Sequence, residues 1–277
     1  MGTSSSNYGP KGNTPLLPDW NDSDDNLDDQ TDSNSDDKEG ISKEDENTNN
    51  PLSGTWSGAK RTLGEFSKNP SKTSFNSAIK SYIKASGGVN GITKSARHGK
   101  IVSGNILSFL NGIQKNGIGS TYENLGFSPI SGDSIEHVFN NLAEVLSSGG
   151  GTDEETIARN AVVEALAKIY EDFDLDNNSI ESLDNLTEEQ TENYLEYYLT
   201  SYIYERWLHE LGVKIEEKDI SSSEAVRVEE NAFDFIQSSV NLKFDNLNLT
   251  TLDYNSKAGK RIINEIFSQA YSLIEAL

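Results

Sequence analysis

The sequence predicts an all-α protein, a helical bundle-like body preceded by a long, disordered, acidic N-terminal tail. Three observations carry that prediction. From residue 56 onward apolar residues recur at spacings of three and four, and helix-capping patterns stand ahead of several of these runs. Nothing alternates with period two for long enough to demand a sheet. Residues 1–50 contain only seven hydrophobic residues, Met1, Tyr8, Leu16, Leu17, Trp20, Leu27 and Ile41, too few to offset the entropy of ordering them.

The tail has two parts. Pro15, Leu16, Leu17, Pro18 and Trp20 form a short apolar cluster in an otherwise polar arm, and an Asp/Ser/Asn tract from Asp22 to Asn50 follows, extended by self-repulsion. Gly2 is small enough for Met1 to be trimmed, which would leave a glycine amine at the tip. A terminus, a short anchor and a spacer together point to a segment offered to another protein.

Beyond Pro51 the elements follow in order. Trp56, Ala59, Leu63 and Phe66 have helical spacing, and Pro70 ends that helix. Phe75, Ile79, Tyr82 and Ile83 mark a second short helix, stopped by Gly87-Gly88. Over residues 99–114 glycines alternate with Ile101, Val102, Ile106, Leu107 and Leu110, a helix whose small residues permit close packing. Residues 116–132, rich in Gly, Ser and Pro, read as a loop.

Four capping boxes then mark helix starts: Asp133-x-x-Glu136, Thr152-x-x-Glu155, Thr187-x-x-Gln190 and Ser221-x-x-Glu224. Behind them run the stripes Ile135/Val138/Phe139/Leu142/Leu146, Ile157/Ala161/Leu166/Ile169/Phe173, Leu195/Leu199/Tyr202/Trp207/Leu211 and Ala225/Val228/Ala232/Phe235/Ile236. A last helix near 256–276 carries Ile262, Ile263, Ile266, Phe267, Ala270 and Ile274. Gly149-Gly150-Gly151 closes the first of these helices, and Gly212 interrupts the third.

Charge divides the 277 residues the same way. The total of −22 hides a tail (1–50) with 13 acidic and 3 basic residues, a basic stretch (51–100) with 9 basic residues and Glu65, and an acidic remainder. The reading is therefore a tail at 1–50, a basic helical region at 51–130 and an acidic helical domain at 131–277. Lys60, Arg61, Lys94, Arg97 and Lys100 are the island's candidate contacts for a partner or a phosphate, although packing against the acidic body is the plainer use. The acidic total argues against non-specific nucleic-acid binding, which needs a cationic footprint.

Absent residue types exclude several chemistries. With no cysteine, the chain has no disulfide, thiolate nucleophile or Cys-based zinc site. No signal-peptide pattern or membrane-length apolar run is present, so a cytoplasmic protein is expected. Asp172, Asp174, Asp176 and Asn178 resemble the start of a calcium loop, but Asn177 and Leu183 stand where such a loop needs Gly and a bidentate Glu. A solvated helix-end loop is the better reading. His98, His137 and His209 are far apart and belong to no ligand motif, and Ser77-x-x-Lys80 and Ser81-x-x-Lys84 lack companion motifs.

Gly87-Gly88-Val89-Asn90-Gly91 lacks the Gly-Lys-Ser/Thr ending of a phosphate loop. Met1-Gly2-x-x-x-Ser6 fits an N-myristoylation pattern, but an acidic tail would be repelled by anionic lipid. No metal, cofactor or catalytic residue is predicted. Tyr194, Tyr197, Tyr198, Tyr202, Tyr204 and Trp207 crowd one helix, as a core helix with amphipathic rims or as an aromatic interface for a partner.

The opening GTSSSNYGPKGNTPLLPDW resembles the N-terminus of the QatB family, a component of the bacterial Qat anti-phage defence system. The stretch from Trp56 to Leu110 is similar to that family's basic central region, while the helical remainder agrees in type. The resemblance implies a non-enzymatic member of a defence complex. Its implied partners are a P-loop ATPase, an enzyme resembling the 7-cyano-7-deazaguanine synthase QueC, and a TatD-like nuclease. It also implies that Gly2 is presented to the QueC-like enzyme for amide conjugation to a 7-deazaguanine-type acid, with Pro15, Leu16, Leu17, Pro18 and Trp20 as the docking segment. Two other readings stay open: an adaptor for the ATPase with an unmodified docking tail, and a nucleic-acid-sensing module that uses residues 51–100.

Overall fold

The computed structural model describes residues 54–130, 134–147, 151–211, 222–240, 242 and 253–276. Among the described residues every regular element is helical. Helix α1 (Trp56–Lys68) starts at Thr55, whose Oγ1 accepts the Gly58 N–H at 3.1 Å, and it ends ahead of Pro70 as expected. Helix α2 (Lys72–Ala85) carries a box of two serines: Ser71 Oγ accepts the Ser74 N–H at 3.2 Å, and Ser74 Oγ accepts the Ser71 N–H at 3.1 Å.

The glycine-rich stretch after α2 does more than stop it. Gly87 takes a left-handed φ of 89°, and a short helix α3 (Gly88–Ser95) starts directly behind it, with Ile92 buried. Helix α4 (Arg97–Asn124) runs well past the expected end near residue 114, so the loop expected at 116–132 begins only after Asn124. Its interruption is Gly117, at φ 77° and ψ 164°, a conformation costly for any residue with a Cβ. The helix resumes because Ile118 and Tyr122, one turn apart, are both buried, and because Asp184 Oδ1 accepts the Ile118 N–H at 2.7 Å.

Next come α5 (Ile135–Ser147), α6 (Asp153–Asp172), a 3₁₀ segment (Ile180–Asn185), α7 (Glu188–Leu211), α8 (Ser222–Gln237) and α9 (Lys257–Glu275). The boxes at Thr152/Glu155 and Thr187/Gln190 form as read from the sequence. Asp133, Ser221, Gly149, Gly150 and Gly212 lie outside the described residues. At α5 the side chain seen at the cap is Ser134, whose Oγ accepts the His137 N–H at 3.2 Å.

One hydrophobic core runs from Ala59 on α1 to Ile274 on α9, so helices on both sides of the 130/131 division line it. α1 pairs with α2 and α6 with α7; α4 packs on α5, α6, α7, α9 and the 3₁₀ segment; α9 also covers α2 and α3. The expected close packing along α4 is present. A Cβ on Gly99 would stand 2.5 Å from the Tyr202 ring, so the glycine lets α7 lie on the α4 backbone.

Aromatic edges lock the other end of α7. Trp207 is fully buried, 6.3 Å from Phe66 of α1 and 6.0 Å from Phe75 of α2, both T-shaped, and Phe75 lies 5.2 Å from Phe235 of α8. Trp56, in the apolar stripe of α1, stays 37% exposed while packing edge-on to Tyr82. Replacing Trp207 with Ala should cost about 3–5 kcal/mol in urea unfolding, the usual cost of emptying a large aromatic site. A loss below about 1 kcal/mol would mean that this ring does not join the four helices.

Candidate functional site

The structure gathers part of the basic island. Lys94 lies in the last turn of α3, Arg97 opens α4 and Lys100 follows one turn later, so these three succeed one another across a single junction. Lys94 and Arg97 are exposed. Lys100 is half-buried and donates from Nζ to Asn264 Oδ1 on α9 at 2.9 Å. Burial lowers its pKa, the Glu154 carboxylate works against that shift and the Arg97 charge adds to it. Lys60 and Arg61 are exposed on α1, which packs on α2, α7 and α8, and Arg61 is already paired with Glu65 at 3.1 Å. Gly2, Pro15, Leu16, Leu17, Pro18 and Trp20 lie outside the described residues.

Beside the Arg97–Lys100 turn stands a polar node that sequence reading missed. Ala96, at the N-terminus of α4, offers no side-chain cap. Glu154, from the first turn of α6, supplies it across the fold. Its carboxylate accepts the His98 N–H at 2.8 and 3.0 Å, the Gly99 N–H at 3.0 Å and the Tyr202 hydroxyl at 2.9 Å. An anion there meets free N–H groups and the positive end of the helix dipole. His98 donates from Nε2 to the Ser147 carbonyl at 2.8 Å, and the Tyr198 hydroxyl donates to the Gly99 carbonyl at 3.1 Å. Burial raises the pKa of both tyrosines, so each remains a neutral donor at physiological pH. One carboxylate thus joins α4, α6 and α7. In the sequence, Glu154 reads only as the middle member of an acidic first turn.

A second node surrounds Arg206, 8% exposed on α7. Its guanidinium donates to the Ile92 carbonyl at 3.2 Å, to Ser95 Oγ at 2.7 Å and to Glu210 Oε1 at 3.1 Å; the Tyr82 hydroxyl donates to the same Glu210 oxygen at 3.3 Å. The aromatic crowding on α7 divides accordingly. Tyr194, Tyr198, Tyr202 and Trp207 are core residues, whereas Tyr197 and Tyr204 are partly buried and meet Phe233 of α8 at 5.9 and 5.4 Å.

The remaining candidates are held locally. Asp172 pairs with Lys168 at 2.7 Å, Asp174 accepts from Asn177 at 2.8 Å, and Asp176 accepts from the Tyr170 hydroxyl at 2.8 Å. His209 lies 3.4 Å from Asp153 and His98 3.9 Å from Glu155, both acids of the first turn of α6, while His137 lies 3.3 Å from Asn141 on α5. Among the described residues no group of three or more His, Cys, Asp or Glu side chains is placed to hold a metal ion, and no helix is long and apolar enough to cross a membrane.

These contacts define an all-α body whose buried polar groups tie its helices to one another. The chain belongs to the QatB family: the model of that family, described as Qat anti-phage system associated protein QatB, matches residues 87–274. The match begins at α3 and ends in the last turn of α9. It therefore spans the helical remainder, and of the stretches on which the sequence resemblance rested it includes only residues 87–110. No curated protein and no solved structure matches the chain.

The Glu154 node makes a sharp prediction. Glu154→Ala should lower stability by about 2–4 kcal/mol, because it strips a charged acceptor from two backbone N–H groups and a buried hydroxyl. Glu154→Gln, which keeps one acceptor oxygen, should lose clearly less in the same urea titration. Equal losses would mean that side-chain packing, and not the cap, is what matters.

Proposed function

We propose that this chain is a non-enzymatic component of a Qat anti-phage complex, a helical body that carries an N-terminal arm to a partner enzyme. The observation that carries the reading is family membership across the body, in a family described as associated with an anti-phage system. It is supported by the way the conspicuous polar side chains of the described helices are taken up by one another, as at Glu154 and Arg206.

The finer mechanism rests on the tail's sequence. With Met1 removed, the Gly2 amine has an unperturbed pKa of about 8, so a useful fraction is unprotonated near neutral pH. A QueC-like partner would activate a 7-carboxy-7-deazaguanine-type acid with ATP. The Gly2 nitrogen would then attack the activated carbonyl carbon; the new C–N bond forms, the bond to the activating phosphate breaks, and the amine loses a proton. Pro15, Leu16, Leu17, Pro18 and Trp20 would seat the arm at little side-chain entropy cost, since proline and tryptophan are already stiff. The P-loop ATPase and the TatD-like nuclease would be further members of the complex, assembled in the cytoplasm.

Intact-mass and peptide analysis of the protein co-expressed with the QueC-like enzyme tests this reading. A mass increase on the peptide that begins at Gly2 is expected, absent when one residue is added ahead of Gly2. An unmodified peptide together with full phage protection by the blocked variant would leave the adaptor reading, in which the tail only docks.

A further inference from the structure

Where α6, α7 and α8 meet, the surface opens into a cleft of about 310 Å³. Its walls bring together carboxylates from three helices: Glu164 from α6, Glu205 from α7, and Glu229, Glu230 and Asp234 from α8. Glu205 accepts from Asn160 at 3.1 Å through one oxygen. The other four make no ion pair with any described residue. Lys168, on the same face of α6 as Glu164, is held by Asp172 instead.

The cleft is more than a run of surface acids. Its lining includes two aromatic rings, Tyr204 and Phe233, set edge to face at 5.4 Å and 84°, and Val226, an aliphatic side chain left 52% exposed. Ser201 also lines it; the residue is 1% exposed, and its hydroxyl has no hydrogen-bond partner. A buried mid-helix serine can back-bond to a carbonyl one turn earlier, as Ser103 does to Gly99 at 3.0 Å. A buried hydroxyl left unmatched costs free energy, and a donor brought into the cleft beside Ser201 would relieve that cost. The carboxylates also act on the rings: burial first, then Glu229, Glu205 and Glu164, push the Tyr204 hydroxyl pKa up.

We infer that this cleft is a docking site for an arginine side chain presented by a partner polypeptide. Carboxylates on several sides, aromatic rings and an unmatched hydroxyl beneath them are the chemistry that a guanidinium satisfies at once. It offers five N–H donors in a plane, pairs bidentately with carboxylates and stacks on rings within about 6 Å. A lysine would satisfy the charge but not the planar contact. The chain's own tail, with a net charge of −10, is of the wrong sign to occupy the site. The inference goes beyond the proposed fate of Gly2 and does not depend on it.

The test uses the full chain and a fluorescein-labelled peptide with two arginines in a Gly/Ser background, read by anisotropy at about 0.15 M salt, where weak non-specific attraction is screened. Saturable binding is expected, weakened about tenfold by the pair Glu229→Gln and Asp234→Asn and several-fold by Ser201→Ala. The pair Glu136→Gln and Glu144→Gln, which removes the same charge from the exposed side of α5, should leave it unchanged. Equal weakening by both pairs would show attraction to the acidic surface as a whole and overturn the site. Equal affinity for the lysine version of the peptide would overturn the arginine assignment. As a readout that needs no variant, ring resonances of Tyr204 and Phe233 should shift as the arginine peptide is added to the wild-type protein; shifts confined to other helices would overturn the proposal.

Discussion

A guanidinium withdrawn from water must find its partners inside the protein, because a buried charge left unpaired costs several kcal/mol. Arg206 meets that demand by reaching out of α7 to the end of α3, while Glu210, one turn on, takes both the guanidinium and the Tyr82 hydroxyl from α2. Its position is then hard to change without moving three helices. Next to it Trp207 is wedged among Phe66 and Phe75, and one turn earlier Tyr202 rests on Gly99 and donates to Glu154. A single helical face therefore binds the basic N-terminal helices to the acidic helices that follow. The geometry at the Arg97–Lys100 turn and at the acidic cleft depends on that face staying where it is.

Much of this was legible in the sequence because the signals are local. Thr152 and Thr187 each stand three residues ahead of a Glu or Gln, and both boxes form, since an N-cap concerns only the turn it opens. Among the described residues the apolar stripes became the core, with Ile101, 55% exposed, an exception; the side chains of Leu211 and Ala225 lie outside the described residues. What failed were features decided by another part of the chain. Gly87-Gly88 read as a stop and do end α2, but α3 directly behind them, held by buried Ile92 and the Arg206 contact at its carbonyl, had no local signal. Gly117 and its neighbours read as a loop, yet Asp184, far along the chain, caps a further turn of α4. Local propensity is a weak prior when tertiary contacts supply the missing partners.

The site residues follow the same rule. Lys94, Arg97 and Lys100 are close in sequence and stay close in space, whereas Glu154 had no signal because its partners come from α4 and α7. The acidic cleft was hidden for the same reason: its carboxylates are spread over three helices, and no spacing in the sequence groups them. Family membership over residues 87–274 fits a body whose defining contacts, the Glu154 and Arg206 nodes, lie largely within those bounds.

Through these contacts α7 makes the basic and acidic helices into one cooperative unit. Native-state hydrogen exchange in low urea tests it most directly, because it reports the opening free energy of each helix separately. The protected amides of α2, α4 and α7 should exchange through a single opening, with one free energy and one urea dependence. If α1 to α3 opened together at a distinctly lower free energy while α6 and α7 stayed closed, the Arg206 and Trp207 contacts would not be joining the two halves.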